Sequence, residues 1–175
     1  MPGELSAIVV APRDRGPVIT GLTLAERGRR VAVRAGVAAA HVHIVRAPEQ
    51  IAAVAKLVSG RAIVVIHARA QVVAAELVEP LQLDAPGARK AVDARGDAGA
   101  IRVDAADAST RFFRALDERV VGRGLVNEWN DSAVQQMIDE QDYALWPVDV
   151  GAWFCAEIDT PADLADVDRH IRSRR

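Results

Sequence analysis

Cysteine, lysine and long apolar runs are what this 175-residue sequence has least of. Cys155 is the single cysteine, which excludes an intramolecular disulfide and any cysteine-built zinc cluster. Lying in an apolar, strand-like stretch, it reads as a buried structural thiol and not as a nucleophile. Of the 22 basic residues only Lys56 and Lys90 are lysine. The arginine excess reads as compositional bias, although any arginine lining a cleft offers a forked donor for phosphate. No apolar run approaches the ~20 residues of a membrane span, and no secretory signal precedes the first apolar run, so a soluble, cytoplasmic chain is expected. A formal net charge of -2 provides no electrostatic footprint for nucleic acid. Repeats, low-complexity segments and linkers are absent too, and the length supports one domain, 1–175, with a sizeable core.

What is present is alanine and valine in short, punctuated runs. Ala7 to Ala11 predicts a buried strand, and Arg13 to Pro17 a turn-rich loop. Gly21 to Ala35 carries helical spacing that Gly36 ends. Val42 to Val45 is a second strand. Pro48 opens a helix with Ile51, Val54, Ala55 and Val58 on its apolar side, and Gly60 follows it. Ala62 to Ile66 is a third strand, and Val73, Leu77 and Leu81 fit a further helix. This alternation predicts parallel strands covered by helices, with ligands gathering beyond the C-terminal strand ends. The loops after Ala11, Ile66 and Ala156 are expected to face one cleft.

From Ala91 the pattern changes. Ala91 to Ala94 and Ala100 to Val103 flank a glycine-containing hairpin turn. Asp104 then caps a helix with Phe112, Leu116 and Val120 on one face, which Gly122 and Gly124 end. Val126, Trp129, Ala133 and Met137 mark another helix. Tyr143 to Val150 and Trp153 to Cys155 are strand-like, and Leu164, Val167 and Ile171 form the apolar stripe of a last helix. Arg169 to Arg175 is basic, which suits a helix C-terminus. The expected fold class is α/β, a single domain with a mainly parallel sheet, helices on both faces and a small β-hairpin insert.

Residues 149–164 are the most informative stretch. An apolar strand delivers Glu157 and Asp159 to a helix start at which Thr160 can cap, Pro161 suits the first helical position and Asp163 can answer the cap. The run resembles the closing motif, aromatic-x-Asp-x-Asp-Thr-Pro-x-Asp-Leu, of sugar- and alditol-phosphate nucleotidyltransferases. Gly21 to Val37 and Ile63 to Val73 resemble, less specifically, that family's helix after its substrate loop and its central strand. The nearest relatives by this resemblance are inositol-phosphate and other alditol-phosphate cytidylyltransferases, which sometimes precede a CDP-alcohol phosphatidyltransferase in one chain. The resemblance implies a nucleotide-diphospho-sugar transferase-like, Rossmann-like fold, CTP and a polyol phosphate as ligands, and Mg2+ as cofactor.

Two departures fall on the chemistry. The family's first strand leads into a glycine-rich phosphate cradle followed by Pro-Lys. Here it leads into Ala11-Pro12-Arg13-Asp14-Arg15-Gly16-Pro17, with one glycine, two prolines and no lysine, and proline removes backbone donors. The family's central strand is followed by a metal-binding Asp, whose position aligns with Arg69; no carboxylate lies between Gly60 and Glu76. Glu157, the counterpart of the second metal-binding acid, is the remaining metal candidate. It also reads as a strand-end acid paired with arginine, Arg69 among the partners. Arg13, Arg15 and Arg69 are the candidates to clamp phosphates, against a solvated loop for the first two. Trp153 is the best placed of three tryptophans, with Trp129 and Trp146, to stack on a base. His67 is placed to bind phosphate or act as a base, against a polar surface residue. Asp159 and Thr160 read as capping residues, His41 and His43 as too few ligands for a metal. Asp159, Asp163, Asp166 and Asp168, beside Arg169 and Arg172, read as a solvated helical face.

Three functions are expected, in this order. The first is a catalytically degenerate nucleotidyltransferase-like domain that keeps nucleotide or polyol-phosphate binding, or serves a membrane phosphatidyltransferase of phospholipid biosynthesis as partner or fused domain. The second is an active Mg2+-dependent cytidylyltransferase of an alditol or inositol phosphate. The third is a structural homo-oligomer that binds no nucleotide.

Overall fold

A computed structural model describes residues 5–68, 71–73, 81, 87–94, 96–105, 108–125, 131–141, 143–151 and 155–173. The chain runs through β1 (Ser6–Val10), the short pair β2 (Val18–Ile19) and β3 (Leu22–Thr23), α1 (Leu24–Arg34), β4 (Val42–Val45), α2 (Ile51–Leu57) and β5 (Ile63–His67). It continues through β6 (Gln71–Val73), β7 (Ala88–Asp93), β8 (Gly96–Val103) and α3 (Phe113–Leu116, extended by π-helical turns Ala108–Phe112 and Asp117–Gly122). Helix α4 (Asp131–Gln141), β9 (Leu145–Asp149), β10 (Cys155–Glu157) and α5 (Pro161–Ser173) complete the described elements.

Six strands form one sheet in the order β4-β1-β5-β8-β7-β9. β1 is parallel to β4 and β5, and β7 is parallel to β9; β8 runs antiparallel to both β5 and β7, so it alone is reversed. The unbroken apolar sequence of β1 follows from its central place, because a strand covered on both faces has no polar side. All five of its residues are buried. Ile8 and Val10 join Ile63, Val65, Ile101 and Val103 beneath the core residues of α2, α3 and α4. Ala7 faces the other way, with Val64, Ile66 and Ala100, beneath Ala32 of α1 and Ala35. The β1-α1-β4 crossover thus uses one face and β4-α2-β5 the other, and the strand order reverses between β1 and β5. In open α/β sheets that reversal is where the crevice for a ligand opens.

The expected α/β class, mainly parallel sheet and covering helices are all present. The antiparallel hairpin is present as β7 and β8, and its strands are built into the main sheet. Helix α1 begins later than its spacing predicts: Gly21 belongs to a tight turn between β2 and β3, and Thr23 caps the helix by accepting from the Glu26 N–H at 3.2 Å. Val73 is not helical as predicted. It lies in β6, which pairs antiparallel with β10 in a separate two-stranded sheet; a pairing across more than 80 positions overrides a local period. Leu77 lies outside the described residues, and Leu81 is buried. Phe112, Leu116 and Val120 all face the core. The predicted cap of α5 forms in full: Asp163 N–H donates to Thr160 Oγ1 at 3.2 Å, and Thr160 N–H donates to Asp163 Oδ2 at 2.8 Å. No helix of the described residues is long and apolar enough to cross a membrane.

Candidate functional site

β4, β1 and β5 end level with one another. Ala11 N–H donates to the Val45 carbonyl at 2.8 Å, and Ala68 N–H donates to the Val10 carbonyl at 2.8 Å. Residues 11–17, residues 46–50 and Ala68 therefore leave the sheet at one edge. A small apolar cluster of Val9, Ile19, Leu24, Ala68, Ile158 and Val167 binds this edge together, with Ala156 packed against it. β10 brings Glu157 opposite Gln71, just beyond the end of β5. The loops after Ala11, Ile66 and Ala156 thus meet at the point of strand reversal.

The loop from β1 is held from outside. Arg46 Nη1 donates to the carbonyl of Pro12 at 2.9 Å and to that of Asp14 at 3.2 Å. The backbone of Arg46 is itself fixed, because Gln50 Oε1 accepts from the N–H groups of Arg46 and Ala47 at 2.7 and 3.2 Å. Gly16 has φ +61°, and a Cβ there would come within 2.9 Å of Pro12 Cγ, so this turn requires glycine. Gly16 N–H donates to Asp14 Oδ1 at 3.2 Å.

The far end of the loop is latched to the last helix. Thr20 has φ +48° and Gly21 φ +82°, the two positive angles of a type I′ turn, and threonine is a strained choice for the first of them. Three hydrogen bonds from two side chains hold it there. Thr20 N–H donates to Asp168 Oδ1 at 2.7 Å, Arg27 donates to the Ile19 carbonyl at 2.6 Å, and Arg27 also donates to Thr20 Oγ1. Asp168 Oδ2 accepts from Arg172 Nε at 2.6 Å. Asp168 is therefore a tertiary tie and not part of a purely solvated face, because Thr20 comes to it from across the sequence. Asp166 fits the solvated reading, paired on the surface with Arg169 at 2.8 Å.

The guanidinium of Arg172 first, and the Thr20 N–H second, lower the Asp168 pKa below its ordinary 3.8. A carboxylate with a depressed folded pKa stabilises the fold above its unfolded pKa, and that stabilisation is lost as pH falls through the folded value. Asp168→Asn keeps an oxygen for Thr20 but loses the charge. It is expected to be less stable than the parent at neutral pH, with the two converging as pH falls below about 3.8. Urea midpoints of both proteins across this pH range measure the difference; parallel curves would mean that the charge contributes nothing.

The sequence-predicted residues distribute as follows. Arg13 and Arg15 are exposed on the loop from β1. Arg13 forms a surface pair with Glu49 at 3.5 Å, with its side chain 78% exposed, so the pair adds little and leaves the cation accessible. His67 is half-buried as the last residue of β5, in register with Val10. Glu157 is exposed at the end of β10. Arg69, Trp153 and Trp129 lie outside the described residues. Trp146 is 55% exposed near the start of the edge strand β9, toward the sheet end opposite the cleft. His43 on β4 has its pKa lowered below 6.5 by burial first, then by His41 and Arg61. The roles of Arg46, Thr20 and Arg27 escaped the sequence reading, and Asp168 was read only as part of a solvated face. Only the Thr20-Gly21 pair between apolar Ile19 and Leu22 carried a local signal, that of a two-residue hairpin turn.

Among the described residues the donor set assembles no divalent-metal site. Mg2+ needs carboxylates in near-octahedral geometry, and no group of three His, Cys, Asp or Glu residues that could hold a metal occurs among the described residues. Glu157 lies opposite Gln71 at the end of β10, Asp14 accepts from the Gly16 N–H, Glu49 pairs with Arg13, and no carboxylate follows β5 before Glu76 in sequence.

No family profile and no curated protein matches the sequence. Solved structures do match in shape. A structure assigned as a glucose-1-phosphate thymidylyltransferase of Bacillus anthracis, in complex with sucrose, superposes with TM-score 0.67 at 10% identity, covering 96% of this chain and 95% of that one. The CTP:phosphocholine cytidylyltransferase of Streptococcus pneumoniae gives 0.62 at 12% identity, covering 96% and 99%. Rv0371c of Mycobacterium tuberculosis, complexed with manganese, gives 0.61 at 16% identity, covering 97% and 100%. The chain has the nucleotidyltransferase fold.

Proposed function

We propose that this chain is one nucleotidyltransferase-like domain, 1–175, that binds the phosphate groups of a nucleotide but has lost most or all of the transfer reaction. The observation that carries the reading is the donor set at the strand reversal: exposed Arg13 and Arg15 at the mouth, where Asp14 is taken up by the Gly16 N–H and Glu49 by Arg13, with Glu157 at the end of β10. Such a site attracts polyphosphate. Among the described residues no carboxylate cluster stands ready to hold a metal ion against the charge developing on a transferred phosphoryl group, and each preorganised stabiliser of this kind is worth about 100-fold or more in rate. The binding state would then serve assembly or regulation, and a membrane phosphatidyltransferase is the partner class that the closing motif suggests.

Calorimetric titration with CTP, UTP, dTTP, ATP and GTP, each with and without Mg2+, tests this. Binding that is indifferent to Mg2+, with no pyrophosphate released from CTP and an alditol phosphate, is the expected result. Robust Mg2+-dependent pyrophosphate release would overturn it and favour an active cytidylyltransferase, for which the position of Glu157 beyond the end of β5 speaks. In that case Glu157→Ala must abolish the activity. The absence of heat with every nucleotide would leave a structural scaffold.

A further inference from the structure

We infer that the end of the sheet opposite the strand-end crevice carries a second ligand site, in which His41, His43, Arg61 and the hydroxyl of Ser6 take the phosphate group of a small metabolite. The strands β4, β1 and β5 run parallel and bring these residues to one corner. His43 is in register with Ile8, and Ser6 with Ile63. Side chains in register on neighbouring strands share a face. Ile8 and Ile63 both belong to the core beneath α2, so His43 and Ser6 stand on that face as well. Ser6 lies one step before the Ala7–Val42 pair, level with His41. Arg61 comes to the start of β5 from the end of α2: Gly60 turns the chain at φ +76°, and Arg61 N–H donates to the Val58 carbonyl at 3.1 Å.

Two independent observations mark this corner. The first is charge. The elements that build it, β1, β4, α2 and β5, contain no aspartate or glutamate, and α2 adds Lys56 in its last turn. The charged groups that act on His43 are His41 and Arg61, and both disfavour its protonated form. The second is an unused hydroxyl. Ser6 is 0% exposed, and its Oγ has no hydrogen-bond partner among the described residues. A buried hydroxyl left in this state costs about 1–3 kcal/mol. A phosphate dianion answers both features at once. Its oxygens accept from Ser6 and Arg61, and its charge offsets the repulsion between the cations. His41, His43 and Arg61 are only half-buried, which leaves the corner open to solvent. The length of β1, about 16 Å, separates it from the crevice, so the site is independent of the nucleotide reading.

Sulfate is the probe, because it stays dianionic throughout a histidine titration. The ring signals of His43 are followed by NMR across the histidine pH range in the full chain, with sulfate or with chloride at equal ionic strength. The proteins are the parent, Ser6→Ala and Arg61→Gln. In the parent, sulfate is expected to raise the His43 pKa by about 1 unit over its value in chloride, since an adjacent anion favours the protonated ring. By linkage, sulfate then binds more tightly as pH falls through the His43 pKa. Ser6→Ala is expected to weaken sulfate binding about tenfold, the effect of losing one charge-assisted hydrogen bond. Without sulfate the same variant is expected to be at least as stable as the parent, because it removes a buried hydroxyl that has no partner. Arg61→Gln is expected to abolish the shift. Superimposable His43 curves in sulfate and chloride, or a Ser6→Ala protein that responds to sulfate as the parent does, would overturn the site whatever the nucleotide titration shows. Should Arg61→Gln not fold, the parent and Ser6→Ala still decide.

Discussion

Phe112→Ala is expected to lower the unfolding free energy by about 3–5 kcal/mol. Phe112 is 1% exposed and is among the largest side chains fully enclosed by the protein. Its ring meets that of Phe113 edge-on, centroids 5.5 Å apart at 81°, a geometry that adds about 0.5–1.5 kcal/mol beyond burial. Removing the ring leaves a void between α3 and the face of the sheet that carries Ile8, Val10, Ile63 and Val65. That face cannot collapse freely, because β1 and β5 are each paired with a strand on both sides. A domain of ordinary stability holds about 5–15 kcal/mol, so this one change removes a large part of it. Urea denaturation followed by circular dichroism measures the loss. A loss under about 1 kcal/mol would mean that α3 rests loosely on the sheet.

The same helix shows what was legible in the sequence. Phe112, Leu116 and Val120 recur at helical spacing, and the structure buries all three. Thr160, Pro161 and Asp163 announced a helix start because capping is settled within four residues. The strands β1 and β5 were legible for a similar reason: a strand buried on both faces is apolar nearly throughout, and β4 at the edge still shows Val42, Ile44 and Val45. What escaped the reading depends on partners distant in sequence. The pairing of the hairpin strand β8 with β5 in the main sheet, the strand at Val73 and the tie from Asp168 to Thr20 are each set by a neighbour that no local period encodes. The candidate site divides in the same way. Arg13, Arg15, His67 and Glu157 could be named because strand ends could be named. Arg46 could not, because its task is to capture the carbonyls of a loop that reaches it only in the folded chain.

Gly28→Ala is expected to destabilise the protein although alanine is the better helix former, and to weaken nucleotide binding under conditions where the variant is still folded. Gly28 lies inside α1, where replacing glycine by alanine ordinarily gains about 0.5–1 kcal/mol. Here an added methyl would sit 2.6 Å from Val9 Cγ1 and 3.3 Å from Ala68 Cβ. Val9 is fully buried, and its β-branched side chain has few alternative rotamers, so relief must come from moving α1 or β1. Overpacking of this kind costs about 1–3 kcal/mol and outweighs the gain in propensity. The two atoms that would be struck belong to β1 and to the residue that follows β5, the pair of strands between whose ends the candidate site opens. A shift of α1 away from them also pulls on Thr20, which Arg27 of the same helix holds. Val9→Ala in the Gly28→Ala background removes the clashing methyls and is expected to recover part of both stability and binding. The double-mutant cycle should then show a coupling of about 1 kcal/mol or more. Strict additivity would mean that α1 stands farther from β1 than a glycine contact requires, and the close approach that shapes this edge of the sheet would have to be abandoned.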